Sequence, residues 1–279
     1  MLTVCTIGDP HFKISNLENV DLFIDKLIHL LEENPPDLIV CLGDVLDEHE
    51  RLHITPLNRA YDFVKKLSKI AYTYVLVGNH DMLNNKQYLN ENHWMNGMKD
   101  WPNVCIVDKV CFAYTQGFKM IFCPYTPNGK FMDALNTCPE KWDDASIIFA
   151  HQEFRGCKMG AIVSSEGDEW GDGLPFVLSG HIHANQKIGN NVYYPGAAMQ
   201  HAFGESTKNI IAFVDWGDEG DMDIREIDLG LPRKKIVYVD LEDFDDFVFD
   251  DSTEDKVKLT LNGNYEEFKT IKKTEKYKE

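Results

Sequence analysis

The chain opens with short apolar stretches that each run into a polar turn. Leu2–Ile7 ends in Gly8-Asp9, Asp37–Leu42 ends in Gly43-Asp44, and Tyr72–Val77 closes on Gly78-Asn79-His80-Asp81. Between the first two, Val20, Leu22, Phe23, Leu27, Ile28, Leu30 and Leu31 recur at helical spacing and predict a helix over Asn19–Glu32. Pro56–Leu67 predicts a second helix. Strands alternating with helices imply a largely parallel sheet with crossover connections, an α/β fold.

The second half changes texture. Short strands are expected at Val104–Val107, Cys111–Tyr114, Met120–Pro124, Ser146–Ala150, Phe176–Ser179, Val192–Tyr194, Ile210–Asp215 and Ile224–Asp228, with few helices between them. A second sheet stacked on the first buries such strands. The glycine-rich polar stretch Gln152–Gly173 reads as a loop rimming a site. A boundary near Gly230-Leu231-Pro232 divides a domain of residues 1–230 from a C-terminal region of residues 231–279. Within that region Asp240–Asp255 is acidic and expected to be partly disordered, and Val257–Lys278 predicts one strand and one lysine-rich helix.

Composition narrows the class. With 279 residues, 43% of them hydrophobic, the chain can bury one substantial core and a smaller appendage. No run approaches the roughly eighteen apolar residues of a membrane span, and the opening carries no basic n-region, so an intracellular, soluble, cytoplasmic protein with no membrane partner is expected. The seven cysteines are odd in number and form no C-x-x-C pair, which predicts buried reduced thiols and argues against a zinc knuckle. The net charge of −18 is uneven: residues 215–255 hold 16 acidic and 4 basic residues, residues 256–279 hold 7 lysines and 4 glutamates, and residues 1–214 therefore carry −9. Metal-binding carboxylates account for part of that remainder, and no basic stripe of the usual nucleic-acid kind is left.

The chemistry sits in the turns. Asp9 and His11 lie in GDPH, Asp44 in GDVLD, Asn79 and His80 in GNHD, His151 in FAHQE, and His181 and His183 in SGHIH. Singly, each reads as a turn former or a surface histidine. Together they place oxygen and imidazole donors, without thiolate, at strand ends, where open α/β sheets put their ligands. Hydrolysis of a phosphate ester needs such a set, because two cations stabilise charge on both the attacking and the leaving oxygen. Asp44 is the candidate bridging carboxylate, and the donor set favours Mn²⁺, Fe²⁺ or Mg²⁺ over zinc. His29, His49, His53 and His93 fall outside strand ends and read as surface or packing residues, and Trp94, Trp142 and Trp170 as core or loop anchors. Arg155 and Lys158, in the loop after His151, are the best-placed cations for substrate, and His201 is a further contact candidate.

The order GDxH, GDxxD, GNHD, a lone His and GHxH resembles the motif signature of the calcineurin-like metallophosphoesterases. The resemblance implies a two-sheet β-sandwich flanked by helices. It also implies one metal held by Asp9, His11, Asp44 and His183 and another by Asp44, Asn79, His151 and His181, with His80 as general acid or transition-state donor oriented by Asp47. Glu48 and His49 stand where the family's protein phosphatases carry an arginine, which argues against that branch. Within the family, GDPHF followed by Lys13, YYPGAAMQHAFGE (Tyr193–Glu205) and the tail after Gly263 are similar to the SbcD-type nuclease subunits of double-strand-break repair and their phage relatives. Departures are Ala197 and Ala198, where that family often has Ser and Pro, and a C-terminal region shorter than its cap and ATPase-docking helices, so a partial cap is expected. The resemblance implies a Mn²⁺-dependent DNA exonuclease or endonuclease working with an SbcC-like ATPase, and a homodimer. The rival readings are a phosphodiesterase for RNA or small nucleotides and a non-catalytic scaffold for the ATPase.

Overall fold

Residues 1–248 and 252–278 are described in a computed structural model of the chain. Leu2–Ile7 forms β1, Leu38–Cys41 β2, Tyr72–Leu76 β3 and Val104–Val107 β4. These four are parallel neighbours, in register as Val4↔Leu38, Leu38↔Tyr72 and Thr73↔Val104. Parallel pairing requires a crossover. Leu17–Glu33 (α1) supplies the first and Ile54–Ile70 (α2) the second. α1 buries Val20, Phe23, Ile24, Leu27 and Leu31, a single stripe, and ends where Pro35 and Pro36 follow. α2 buries Ala60, Phe63, Val64 and Leu67 at the same spacing.

The second sheet uses Cys111–Thr115 (β5), Phe118–Cys123 (β6), Ile147–His151 (β7), Val177–Gly180 (β10), Gln186–Ile188 (β11) and Val192–Tyr194 (β12), in the order β11-β12-β10-β7-β6-β5. Its four central strands are parallel, and antiparallel strands close both edges. Phe131–Leu135 (α3) packs on its outer side through Phe131, Ala134 and Leu135. Ile211–Trp216 (β13) runs antiparallel to β1 and carries Met222–Ile227 (β14), completing a first sheet ordered β14-β13-β1-β2-β3-β4.

The period-two alternation explains the layers. Leu2 and Val4, Leu38 and Val40, Met120 and Phe122, Ile147 and Phe149, and Val214 and Trp216 point between the sheets into one buried cluster. Intervening residues point outward: Cys5, Ile7, Ile39 and Cys41 pack under α1 and α2, while Ile121, Cys123, Ile148 and Ala150 pack under α3. The result is the expected α/β sandwich of two sheets flanked by helices. Most strands lie where the pattern puts them. Three additions were not legible: β11, a small hairpin of Lys158–Met159 (β8) and Ile162–Val163 (β9) inside the predicted loop Gln152–Gly173, and Lys234–Asp240 (β15).

The chain falls into two compact units, Met1–Met199 with Lys208–Leu231, and Gln200–Thr207 with Pro232–Glu279. In the second, β15 pairs in parallel with Lys256–Asn262 (β16), from Lys234↔Lys256 to Asp240↔Asn262. Tyr265–Ile271 (α4) and Glu275–Lys278 (α5) follow, two short helices in place of the one expected. Gln200 joins this unit by a reciprocal amide pair with the Lys234 backbone: it accepts from the amide at 2.7 Å and donates to the carbonyl at 3.2 Å. The disorder expected over Asp240–Asp255 falls partly outside the described residues, at 249–251. Among the described residues no helix is long and apolar enough to cross a membrane.

Candidate metal centre

Five turns bring the predicted residues to the carboxyl ends of β1, β2, β3, β7 and β10. Because β1, β2 and β3 are adjacent, as are β7 and β10 with Gly180↔His151, the donors of each sheet arrive as a group. Bonds between the turns then join the groups. The His181 amide donates to Asp9 Oδ1 at 2.8 Å, the His80 amide to Asp44 Oδ1 at 2.8 Å, and His151 Nδ1 lies 2.7 Å from the Leu42 carbonyl.

Asp9, His11, Asp44 and His181 all have positive φ, at 40°, 45°, 50° and 78°. Each costs about 1–3 kcal/mol outside glycine, and such strain persists only where surroundings over-determine it. Here the His11 amide donates to the Asp44 carbonyl at 3.0 Å and the Phe12 amide to the Val45 carbonyl at 2.8 Å. Glycine makes the approach possible. A Cβ on Gly78 would stand 2.2 Å from Asp44 Oδ1, and one on Gly43, at φ +106°, would meet His151 Nδ1 at 2.6 Å.

The donor atoms form interlocking groups. Asp9, His11 and His183 converge, as do Asp44, His151 and His181, each with ligand atoms within 4.8 Å of one another. Asp44 Oδ2 lies 3.3 Å from His151 Nε2 and 3.6 Å from His11 Nε2, between the two groups. Asn79 Nδ2 donates to Asn85 Oδ1 at 3.2 Å, which turns Asn79 Oδ1 toward His151 Nε2 (3.0 Å) and His181 Nδ1 (2.9 Å). A carbonyl can only accept, so His151 carries a proton on Nδ1 against Leu42, and its neutral form offers a lone pair from Nε2. That lone pair faces two further acceptors, and His11 Nε2 faces His183 Nε2 at 3.1 Å. Inward-facing lone pairs at these separations fit a hard cation with nitrogen and oxygen ligands.

Burial and mutual charge shift these groups in opposite directions. Burial opposes the charge on Asp44, yet the His151, His11 and His80 imidazoles hold its carboxyl well below the usual range. Burial likewise disfavours the imidazolium of His151, but the Asp44 and Asp9 carboxylates push it up to about 9. His181 goes the other way, lowered to about 3 by burial and by His151. Asp9 is raised, chiefly by burial.

His80 and Asp47 meet in an unexpected manner. Nδ1 of His80 lies 2.5 Å from the Asp47 main-chain carbonyl, not its carboxylate. The Asp47 side chain turns the other way, with Oδ1 3.4 Å from His11 Nδ1 and 3.0 Å from Lys13 Nζ. That carboxylate faces His11 Nδ1, on the opposite edge of the ring from Nε2, which faces Asp44 and His183.

The candidate substrate contacts are each held by local partners. Arg155 pairs with Glu169 and donates Nε to the Ser165 carbonyl at 3.1 Å. Lys158 is an exposed residue of β8, its amide donating to Gln186 Oε1 at 2.8 Å. His201 belongs to the second unit, buried, with its amide donating to Glu205 Oε2 at 2.9 Å. Sequence reasoning also passed over participants. Buried Asp81 accepts from the Gly78 amide at 3.0 Å and from Trp94 Nε1 at 2.9 Å, so Trp94 anchors the turn that carries Asn79. His49, read as a surface or packing residue, stacks on His80. The extra acid in GNHD was a signal for Asp81; nothing local marked His49.

Comparisons with known proteins agree with this geometry. The calcineurin-like phosphoesterase family matches residues 2–185. The chain is 45% identical to "Putative phosphoesterase 078R" of Invertebrate iridescent virus 3, over all of this chain and 81% of that protein. It is 43% identical to "Putative phosphoesterase 244L" of Invertebrate iridescent virus 6, over 96% of each. Its fold is similar to the solved structure of "GAP50 the anchor in the inner membrane complex of Plasmodium", with a TM-score of 0.50 at 14% identity, over 82% of this chain and 85% of that one. Every turn of the centre, from Asp9 to His183, lies inside the matched span, and this protein belongs to the calcineurin-like phosphoesterase family.

Proposed function

We propose that this metal-dependent phosphoesterase is a Mn²⁺-activated DNA nuclease that cleaves phosphodiester bonds with two cations, one on Asp9, His11, Asp44 and His183 and the other on Asp44, Asn79, His151 and His181. The observation that carries it is the position of Asp44 between two donor groups, with half-buried His80 beside them. Divalent ions, when bound, offset phosphate charge and bring the pKa of water toward neutrality. The chain's own residues do the rest. Asp44 holds His80 by the amide, the Asp47 carbonyl fixes His80 Nδ1, and Nε2 is left to donate a hydrogen bond or proton to the ester oxygen. Asp47 and Leu42 set the tautomers of His11 and His151. The choice of DNA rests on the likeness of GDPHF and Tyr193–Glu205 to SbcD-type nucleases, and so do the SbcC-like ATPase partner and the homodimer.

The test is hydrolysis of a chromogenic diester, linear duplex DNA, circular single strands, RNA and cyclic nucleotides, with Mn²⁺, with Mg²⁺ and with EDTA. DNA cleavage that requires Mn²⁺ and stops with EDTA is expected. Diester cleavage with DNA left intact and RNA or cyclic nucleotides consumed would transfer the activity to the rival substrates. No cleavage at full metal content would leave a scaffold.

A further inference from the structure

The residues after Asp44 lie alongside the turn that carries Asn79 and His80, and the two segments are tied in order. Asp44 Oδ1 accepts from the His80 amide at 2.8 Å, the Leu46 amide reaches Asp81 Oδ1 at 3.4 Å, and the Asp47 carbonyl meets His80 Nδ1 at 2.5 Å. His49 makes the last tie, with Nδ1 3.2 Å from the Met82 carbonyl. Held there, its ring lies parallel to that of His80, at 4.7 Å between centroids and 11° between planes. On another side His11 meets His80 edge-on, at 4.9 Å and 83°.

These contacts divide the work of holding one imidazole. The bond from Nδ1 to the Asp47 carbonyl sets which edge of the His80 ring points away, but one in-plane hydrogen bond permits rocking out of the plane. A flat neighbour stacked on the face removes that freedom, and the spacing falls inside the range where aromatic pairs attract. His49 is half-buried, and beyond it a groove lined by Glu50, Leu52, Met82, Leu83, Asn92 and Trp94 lies open. Removing the His49 ring would therefore join that groove to the face of His80 and let water replace the stack.

We propose that His49 is a positioning residue for the phosphoesterase reaction, acting through its stack on His80 rather than on metal or substrate. This rests on the reading of His80 as the donor to the ester. The stacking energy of such pairs corresponds to a loss of up to about tenfold in turnover if it is all spent on alignment.

The experiment compares His49→Ala, His49→Phe and His80→Ala in the full chain, at matched metal content. Substrates are a diester with an activated p-nitrophenyl leaving group and one with an unactivated alkoxide leaving group. His49→Ala is expected to lower kcat by about tenfold on the alkoxide ester and less on the activated one, with KM and bound metal unchanged. His49→Phe keeps a flat ring without the bond to Met82 and should stay within about threefold of the wild type. Wild-type kcat in His49→Ala, beside an impaired His80→Ala, would overturn the inference while sparing the role of His80. A loss equal in His49→Ala and His49→Phe, or equal on both esters, would overturn it as well. Full activity in His80→Ala would instead remove the reading of His80 on which it stands.

Discussion

His80 and Asp47 are three-dimensional neighbours whose roles separate by atom. On the proposed reading, His80→Ala deletes the donor to the ester and leaves the ligand set intact, so both ions should stay bound and turnover should fall by about 10²–10⁴. Asp47→Ala leaves the carbonyl that holds His80 and removes the carboxylate beside His11. Loss of such a support typically weakens metal affinity by about 10- to 100-fold. Asp47→Ala should accordingly need more divalent metal for half-activation, with turnover restored at saturating metal. Metal titrations of the two variants check this: a turnover defect in Asp47→Ala that saturating metal does not repair would return the carboxylate to His80.

At the scale of elements, what matters is how turns are braced. The 3-10 segment Trp94–Met98 brings Trp94 to Asp81, and it is pinned to the end of β4 by Asp108, whose Oδ2 lies 3.1 Å from His93 Nε2 and 2.5 Å from Lys99 Nζ. Burial opposes the charge on Asp108, but His93 and Lys99 prevail and hold its pKa at about 2, against an ordinary 3.8. A folded-state pKa below the unfolded one adds stability above the unfolded value, which is lost as pH falls through the folded one. Asp108→Asn should therefore cost about 2 kcal/mol near pH 7. In urea unfolding of metal-free protein, the gap between wild type and variant should shrink between about pH 4 and pH 2. A gap that stays constant across that interval would mean packing, not charge, sets the cost. The same bracing explains which elements were legible. α1 and α2 carry long stripes, while β11, β8 and β9 have two or three residues each, too few for any period. β15 escaped notice because it begins Lys234-Lys235 and alternates only weakly, gaining its place by pairing with β16.

Across the whole molecule the charge of −18 governs association. A chain this acidic repels the DNA backbone at a distance, and affinity gained by releasing counterions scales with the number of phosphates a protein neutralises. The isolated chain should bind DNA weakly, with a shallow dependence on salt, and bind markedly better once a basic ATPase partner is added. Titrations at several salt concentrations measure the slope. Tight binding by the chain alone, with a steep slope, would contradict this reading and call for a basic surface of its own.

Sequence alone determined the sandwich and the identity of the turn residues, because both are local. A strand's face is written in alternation, and Gly-Asp, Gly-Asn and Gly-His at strand ends combine turn chemistry with ligand chemistry in neighbouring positions. Tertiary structure decided the pairing of atoms. That Asp44 stands between two donor groups, that Asp47 offers a carbonyl to His80 and a carboxylate to His11, and that His49 covers His80 all depend on turns from separate strands meeting at fixed distances. So does the grouping of Gln200–Thr207 with the C-terminal unit, made by a two-way amide pair across 34 positions of chain. Such contacts have no period and no fixed spacing, since they arise from side-chain directions that only the assembled backbone sets.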